Sequence, residues 1–243
     1  VRLDNKKEIR AKLLVGADGR NSVVRAVSQI ETFEKDYKQD ALTFLVSHTE
    51  DHRATSTELH RPGGPLTFVP LAEKTSSVVW VEHSGRARDL AAMPKPEFQA
   101  ALQTASQDIL GELTLQSDIG SRELRIVGAK NLTAQRMVLA AEAAHAIHPM
   151  GAQGLNLSLR DIELLHKLII ERCALGLDPG AAELLKQYER KRKIDITGRM
   201  AATHGLVTSL THHNKILHTV RRKGLKLLTA FPPVKSALMR AGM

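Results

Sequence analysis

The sequence predicts an α/β protein with an antiparallel sheet inserted into it, an α+β insert in an α/β frame. Three observations carry that expectation. An apolar strand runs into a glycine-rich turn and a short helix over residues 13–28. A strand-rich stretch then occupies residues 41–127. A second apolar run, residues 137–141, leads into a carboxylate, a Pro- and Gly-rich turn and an amphipathic helix. Strands between two segments of α/β character are the order an inserted sheet domain produces.

The elements follow in chain order. Residues 1–3 and 9–15 read as strands around the polar turn 4–8, so the chain opens at Val1 inside a hairpin pattern. Residues 16–22 form a loop, and Val23 begins a short helix. Residues 41–47 read as a strand. Residues 56–60 and 66–70 flank the turn Arg61-Pro-Gly-Gly-Pro65, a hairpin signal. Residues 76–82 are a further strand. Residues 95–109 are helical, with Phe98, Leu102 and Ile109 on one side. Residues 122–127 and 136–140 are strands. Leu155, Leu159, Ile162, Leu165 and Ile169 recur at helical spacing, and residues 176–179 end that helix. Residues 181–210 are helical with a break expected near Gly198, and residues 213–228 form a last amphipathic helix.

Composition narrows the class. The chain has 243 residues, 42% hydrophobic and 25% charged, values of a globular protein able to bury a core. No apolar run approaches the roughly 20 residues of a membrane span, and no basic-then-apolar leader is visible. Cys173 is the single cysteine, so no intrachain disulfide forms and a reducing cytoplasm is the expected setting. On a helix, that thiol is expected to be buried and inert. The net charge is +9. Residues 186–243 hold thirteen Lys and Arg against two acids, Glu189 and Asp195, and the rest of the chain is slightly acidic. Basicity confined to one end points to a local contact with an anionic surface such as phospholipid, not to a nucleic-acid binder. Arg221, Arg222, Lys223 and Lys226 flank an apolar stripe of Leu217, Val220 and Leu227, a pattern suited either to a bilayer surface or to a solvated helix face.

Two stretches carry chemistry. In Leu13-Leu-Val-Gly-Ala-Asp-Gly-Arg-Asn-Ser-Val-Val-Arg25 the glycines permit a tight turn and close approach of backbone to a ligand. The Ser22 hydroxyl and Arg25 guanidinium can meet phosphate oxygens, or the segment is an ordinary strand–turn–helix connection. In Glu142-Ala-Ala-His-Ala-Ile-His-Pro-Met-Gly-Ala-Gln-Gly-Leu-Asn-Leu-Ser-Leu-Arg-Asp161, Gly154, Leu155 and Asn156 fall at a helix start. Their N–H groups lack intrahelical partners, and the dipole there is positive. His145 and His148 are three residues apart, and no metal site is expected from them. His212, His213 and His218 read as part of a wet basic face. Trp80 and Tyr37 are expected in the core or sheet.

These stretches resemble the two flavin motifs of the flavin-dependent aromatic-ring hydroxylases. The resemblance implies a truncated FAD/NAD(P)-binding fold of the para-hydroxybenzoate hydroxylase type, with an antiparallel substrate-domain sheet and C-terminal helices. It places Asp18, Gly19, Ser22 and Arg25 near the FAD pyrophosphate and the path of NAD(P)H. It assigns Glu142 to the ribityl or ribose hydroxyls. It assigns Pro149, Gly151 and Gln153 to the turn, and Gly154, Leu155 and Asn156 to the flavin N1–C2=O edge. Two departures stand out: Ala141-Glu142 replaces Gly-Asp, and Gly151-Ala-Gln-Gly154 replaces Ala-Gly-Gln-Gly.

Glu58-Leu-His-Arg-Pro-Gly-Gly-Pro-Leu-Thr-Phe-Val-Pro-Leu71 and Phe231-Pro-Pro-Val-Lys-Ser-Ala-Leu-Met-Arg240 are similar to the ubiquinone-biosynthesis hydroxylases of that family. The implied reaction is hydroxylation of a polyprenyl phenol with FAD, NAD(P)H and O2. Implied partners include other ubiquinone-biosynthesis proteins, and the implied location is the inner membrane face. No catalytic side chain stands out. The family's Gly-x-Gly-x-x-Gly turn does not occur in the sequence, so the chain reads as the C-terminal portion of a hydroxylase. The expected division is residues 1–30 and 129–180 in the FAD-binding domain, 31–128 in the sheet domain and 181–243 in a helical segment. Two further classes fit the same residues: a non-catalytic remnant or partner-binding subunit, and another flavoenzyme of the fold, such as a prenyl-lipid reductase or halogenase.

Overall fold

A computed structural model describes residues 2, 6–150 and 153–211. The expected helix at 213–228, its basic side chains and the late histidines lie outside the described residues. In chain order the elements are β1 (Leu14–Gly16), α1 (Val23–Val27), β2 (Thr32–His48), β3 (Thr57–Leu59), β4 (Leu66–Pro70) and β5 (Thr75–His83). Then come α2 (Ser84–Ala92), α3 (Lys95–Ser106), β6 (Leu113–Leu115), β7 (Gly120–Ala129), β8 (Thr133–Ala134) and β9 (Met137–Leu139). A 3-10 turn (Ala141–Ala143), β10 (His145–Ala146), α4 (Gln153–Ala174) and α5 (Ala182–Thr211) complete the described residues. The opening hairpin is present as a single antiparallel bridge between Arg2 and Glu8.

The contacts divide the described chain into two units. One spans Asp36–Leu124, joined by residues from Val207 onward; the other holds the residues up to Lys35 and Arg125–Leu206. The strands β2 and β7 carry the chain from one unit to the other.

The Asp36–Leu124 unit is built on antiparallel pairing in the order β7-β2-β5-β4-β3, with β6 added to β2. Its core follows from strand register. Leu42 lies opposite Trp80 and Trp80 opposite Leu66, while Phe44 lies opposite Val78 and Val78 opposite Phe68. Each row stacks three apolar side chains on one face, because alternate residues of a strand share a face. Ala87 and Leu90 of α2 and Phe98 and Leu102 of α3 close that face. Phe98 is the hub: its ring meets Phe44 edge-on at 5.1 Å and lies 5.8 Å from Trp80. Pro96 occupies the first turn of α3, where its missing N–H is not needed. The helix stops at Gln107, whose φ of 54° is left-handed.

The second unit holds a small sheet in the order β1-β9-β8, with β1 parallel to β9. Leu14, Val15 and Gly16 lie against Met137, Val138 and Leu139. Gly16 has no room for a side chain, since a Cβ there would stand 2.9 Å from Leu139 and from Val24. Tyr188 of α5 is fully buried and donates its hydroxyl to the Leu139 carbonyl at 3.1 Å, fixing α5 against β9.

Several expectations change. β2 begins nine residues before the predicted strand, at Thr32: it is paired with β7 as well as β5, and no apolar alternation marks its charged start. The helix α2 went unpredicted: only Ala87 and Leu90 are buried on it, too short a pattern around Gly85 to read. Ile109 falls beyond the end of α3 and is exposed, and Leu110 takes the buried place. The helix α5 runs through Gly198 without a break. Cys173 is exposed, not buried. On α4 the expected apolar stripe is only partly inward: Leu165 is buried and Ile169 half-buried, but Leu155, Leu159 and Ile162 are exposed, while Leu157, Asp161 and Leu168 complete the buried face with Leu165. Among the described residues no helix is long and apolar enough to cross a membrane.

Phe98→Ala should remove the hub of the sheet core and cost about 3–5 kcal/mol, as large-to-small changes at fully buried aromatics do. Urea unfolding should show a lower midpoint at an unchanged slope. A loss below about 1 kcal/mol would contradict this packing.

Candidate functional site

The parallel pairing of β1 with β9 brings the two motifs side by side. Ala140 donates its N–H to the Gly16 carbonyl at 2.9 Å, so the loop after Gly16 and the turn after Ala140 start from adjacent points. Two arginines of the first motif cross to the second. Arg25 donates to the Ala143 carbonyl at 2.8 Å and to the Arg20 carbonyl at 2.7 Å. Arg20 stands 3.4 Å from the Glu142 carboxylate. That last pair is solvent-facing, with the Glu142 side chain 54% exposed, and such pairs contribute little to stability.

The first loop is organised by Asp18. Its carboxylate accepts the Ser22 hydroxyl at 2.5 Å and the N–H groups of Val23 and Val24 at 2.7 and 3.2 Å. Burial alone would raise its pKa, but the hydrogen bonds from Ser22, Val24 and Val23 outweigh burial and hold it below the usual range. Ser22 is buried and caps α1, accepting the Arg25 N–H at 3.0 Å. Asp18, Ser22 and Arg25 are therefore spent on shaping the loop and fastening it to the second motif. Gly19 has a φ of +82° and nothing within 4 Å of a Cβ, so its backbone needs glycine while its surroundings are open.

The second motif begins with a strained residue. Ala141 has a φ of 56°, a region costing an L-residue about 1–2 kcal/mol. Its N–H is thereby aimed at Asp161, which accepts it at 2.8 Å. Glu142 follows in the 3-10 turn, His145 is buried in β10, and Pro149 is exposed. Gly151 lies outside the described residues. The helix α4 opens at Gln153, so the N–H groups of its first turn up to Leu155 have no intrahelical acceptor. Leu155 is 70% exposed, and a Cβ on Gly154 would meet nothing within 4 Å. Neither backbone strain nor protein packing calls for glycine at 154. An open space beside the N–H groups of a helix start fits an electron-rich planar ligand edge.

Behind this surface lies a polar network that the sequence did not announce. Asp161 is fully buried and accepts from His145 Nε2 at 2.7 Å and Arg192 Nε at 2.6 Å, besides Ala141. Arg192 also reaches Asp195 at 2.6 Å and the Leu157 carbonyl at 3.2 Å. Asp195 accepts Arg199 at 2.8 Å, and Arg199 donates to Gln153 Oε1 at 2.7 Å. Burial acts to lower the Arg192 pKa, but hydrogen bonds to Asp195 and Asp161 raise it overall. Burial, and then the Asp161 charge, push the Tyr188 phenol upward. The available signal was a carboxylate at 161 in step with Leu157, Leu165 and Leu168. The more prominent leucines one face away concealed it.

Ala141→Gly should relieve the left-handed strain and stabilise the fold by about 1 kcal/mol, with a thermal midpoint higher by about 2–4 °C. No gain would mean that the turn is held without strain. A second expectation concerns His148, which is buried and accepts the Met150 N–H at 3.2 Å. Burial lowers its pKa to about 4. The unfolded chain takes up this proton near pH 6.5, so between those values unfolding binds a proton and acid destabilises the fold. The stability of the parent over His148→Gln should therefore shrink by up to about 3 kcal/mol from pH 7 to pH 4. A difference independent of pH would place His148 in water.

The chain is similar to known proteins. The FAD binding domain family matches residues 1–201. A ubiquinone hydroxylase, UbiL, of Rhodospirillum rubrum is 35% identical over 99% of this chain and 56% of its own length. The 3-demethoxyubiquinol 3-hydroxylase of Escherichia coli is 32% identical over 77% of this chain and 48% of its own length. The chain thus spans about half the length of the curated relatives it matches. Among solved structures, PqsL of Pseudomonas aeruginosa in complex with 2-aminobenzoylacetate has the same fold, with a TM-score of 0.74 at 21% identity over 86% of this chain and 59% of its own. The anhydrotetracycline hydroxylase OxyS of Streptomyces rimosus matches at 0.69 over 95% of this chain and 45% of its own. With two thirds and more of its length matched and both motifs apposed on one small sheet, the chain belongs to the FAD binding domain family.

Proposed function

We propose that this chain is part of an FAD-dependent monooxygenase that hydroxylates the aromatic ring of a polyprenyl phenol in ubiquinone biosynthesis, using NAD(P)H and O2. The observation that carries the reading is the apposition of the two motifs within a sequence 35% identical to a ubiquinone hydroxylase along nearly its whole length. Bound FAD supplies electron transfer and oxygen activation. The chain's own residues position and polarise it. Arg25 and Asp18 fix the first loop beside the pyrophosphate. Glu142 accepts ribityl or ribose hydroxyls, turning from Arg20 to do so. The α4 start, at Gly154, Leu155 and Asn156, presents N–H groups and a positive dipole end to the ring edge, where negative charge is stabilised. Pro149, Gly151 and Gln153 shape that turn. The adenosine end of FAD needs a glycine turn that this sequence does not contain, so tight binding requires a complementing segment.

The basic residues of the C-terminal quarter suit an anionic membrane surface, where a polyprenylated substrate is found. A second reading is a non-catalytic chain of this fold, and one experiment separates the two. The complete gene product carrying these 243 residues is purified, and its flavin content and NAD(P)H- and O2-dependent hydroxylation of a polyprenyl phenol are measured. Stoichiometric flavin with hydroxylated product supports the enzyme; folded protein that takes up no FAD sinks it.

In that protein Gly154→Val should keep the fold, since among the described residues nothing lies within 4 Å of the added Cβ. It should weaken FAD at least about tenfold by filling the space meant for the ring edge. Unchanged flavin affinity would move the ring away from this helix start.

A further inference from the structure

We propose that α5 is a strut for the flavin site, in which Arg192 and Arg199 are positioning residues that hold the Glu142 turn and the Gln153 helix start in fixed relation. The inference rests on the flavin reading above and adds to it residues that no motif contains.

The second motif reaches its ligand with two arms: the turn Ala141–Ala143 and the first residues of α4. Each arm is tied to α5 by its own contact. Ala141 N–H and Arg192 Nε both bond to Asp161, which couples the Glu142 turn to α5. Arg199 Nη1 bonds to Gln153 Oε1, which couples the helix start to the same helix. Asp195 lies between the two arginines, three residues after one and four before the other, and accepts from both. That spacing places all three on one face, so a single carboxylate orients both guanidinium groups.

The two ties differ in what they do. Arg192 compensates a fully buried carboxylate, so its removal strands a charge and threatens the fold. Arg199 pairs with Asp195, which is only half-buried, and reaches Gln153. By engaging Oε1 it fixes which way the Gln153 amide faces, leaving the NH2 end as the donor directed elsewhere. An orientation enforced on a side chain at the helix start is a constraint on a ligand there, not a requirement of the core.

The test uses the complete gene product that carries this chain, with FAD as the probe. FAD affinity, the flavin absorption bands and the thermal midpoint of the flavin-free protein are measured for the parent, Arg199→Gln, Arg199→Lys, Gln153→Ala and the double variant Arg199→Gln with Gln153→Ala. Arg199→Gln should weaken FAD about tenfold and shift the bands, while the flavin-free midpoint moves by no more than about 2 °C. Arg199→Lys, which keeps a donor, should recover part of the affinity. In the Gln153→Ala background Arg199→Gln should have no further effect on FAD, because the partner is gone. Parent-like affinity and spectrum in Arg199→Gln, or additive losses in the double variant, overturn the strut while leaving the flavin reading intact. A folded parent that binds no FAD overturns both.

Discussion

The buried carboxylate of Asp161 is the interaction on which this half of the molecule depends. A lone ionised group in an apolar interior costs several kcal/mol, so such a group persists only when its lone pairs are filled. Here the donors come from three directions: the backbone of Ala141, the ring of His145 and the guanidinium of Arg192. Those donors belong to the strand-turn of the second motif, to β10 and to α5, and Asp161 itself is on α4. One carboxylate therefore joins four pieces of chain at one point. The strained residue, Ala141, is the one whose N–H this carboxylate accepts.

How much of this could be read beforehand depended on range. Local rules sufficed for the β3–β4 hairpin and the strand–loop–helix of residues 13–28, since each rests on neighbours in sequence. They did not suffice for the length of β2, because no apolar alternation marks its charged start. The buried face of α4 was missed in part, for a different reason. Leu155, Leu159 and Ile162 are the more hydrophobic set, and helical periodicity follows hydrophobicity; a buried face built around an aspartate is invisible to it. In the candidate site, the motif residues were legible as residue types, but their tasks were not. Asp18 and Ser22 spend their polar atoms inside the loop, and Arg25 spends its guanidinium on two carbonyls. Nothing short of three-dimensional proximity links Arg199 to Gln153, 46 positions apart.

The two units solve different physical problems. In the sheet unit, stability comes from rows of apolar side chains in register under two helices, with Phe98 at the centre, an arrangement tolerant of change at its exposed positions. In the other unit the strands are only two or three residues long and cannot supply much ladder energy. Side-chain-to-backbone bonds take over: Arg25 to Ala143, Tyr188 to Leu139, Asp161 to Ala141. A scaffold made this way holds irregular turns, which is what a backbone-lined ligand surface needs.

The exposed thiol at Cys173 has a practical consequence. It is the only cysteine in the sequence and lies near the far end of the helix that opens at Gln153. Twenty residues of helix separate the two, roughly 30 Å at 1.5 Å per residue. A maleimide dye or nitroxide attached there modifies one defined position without further engineering. At that range energy transfer and dipolar spectroscopy are both sensitive, so α4 is already a molecular ruler with its zero mark at the helix start.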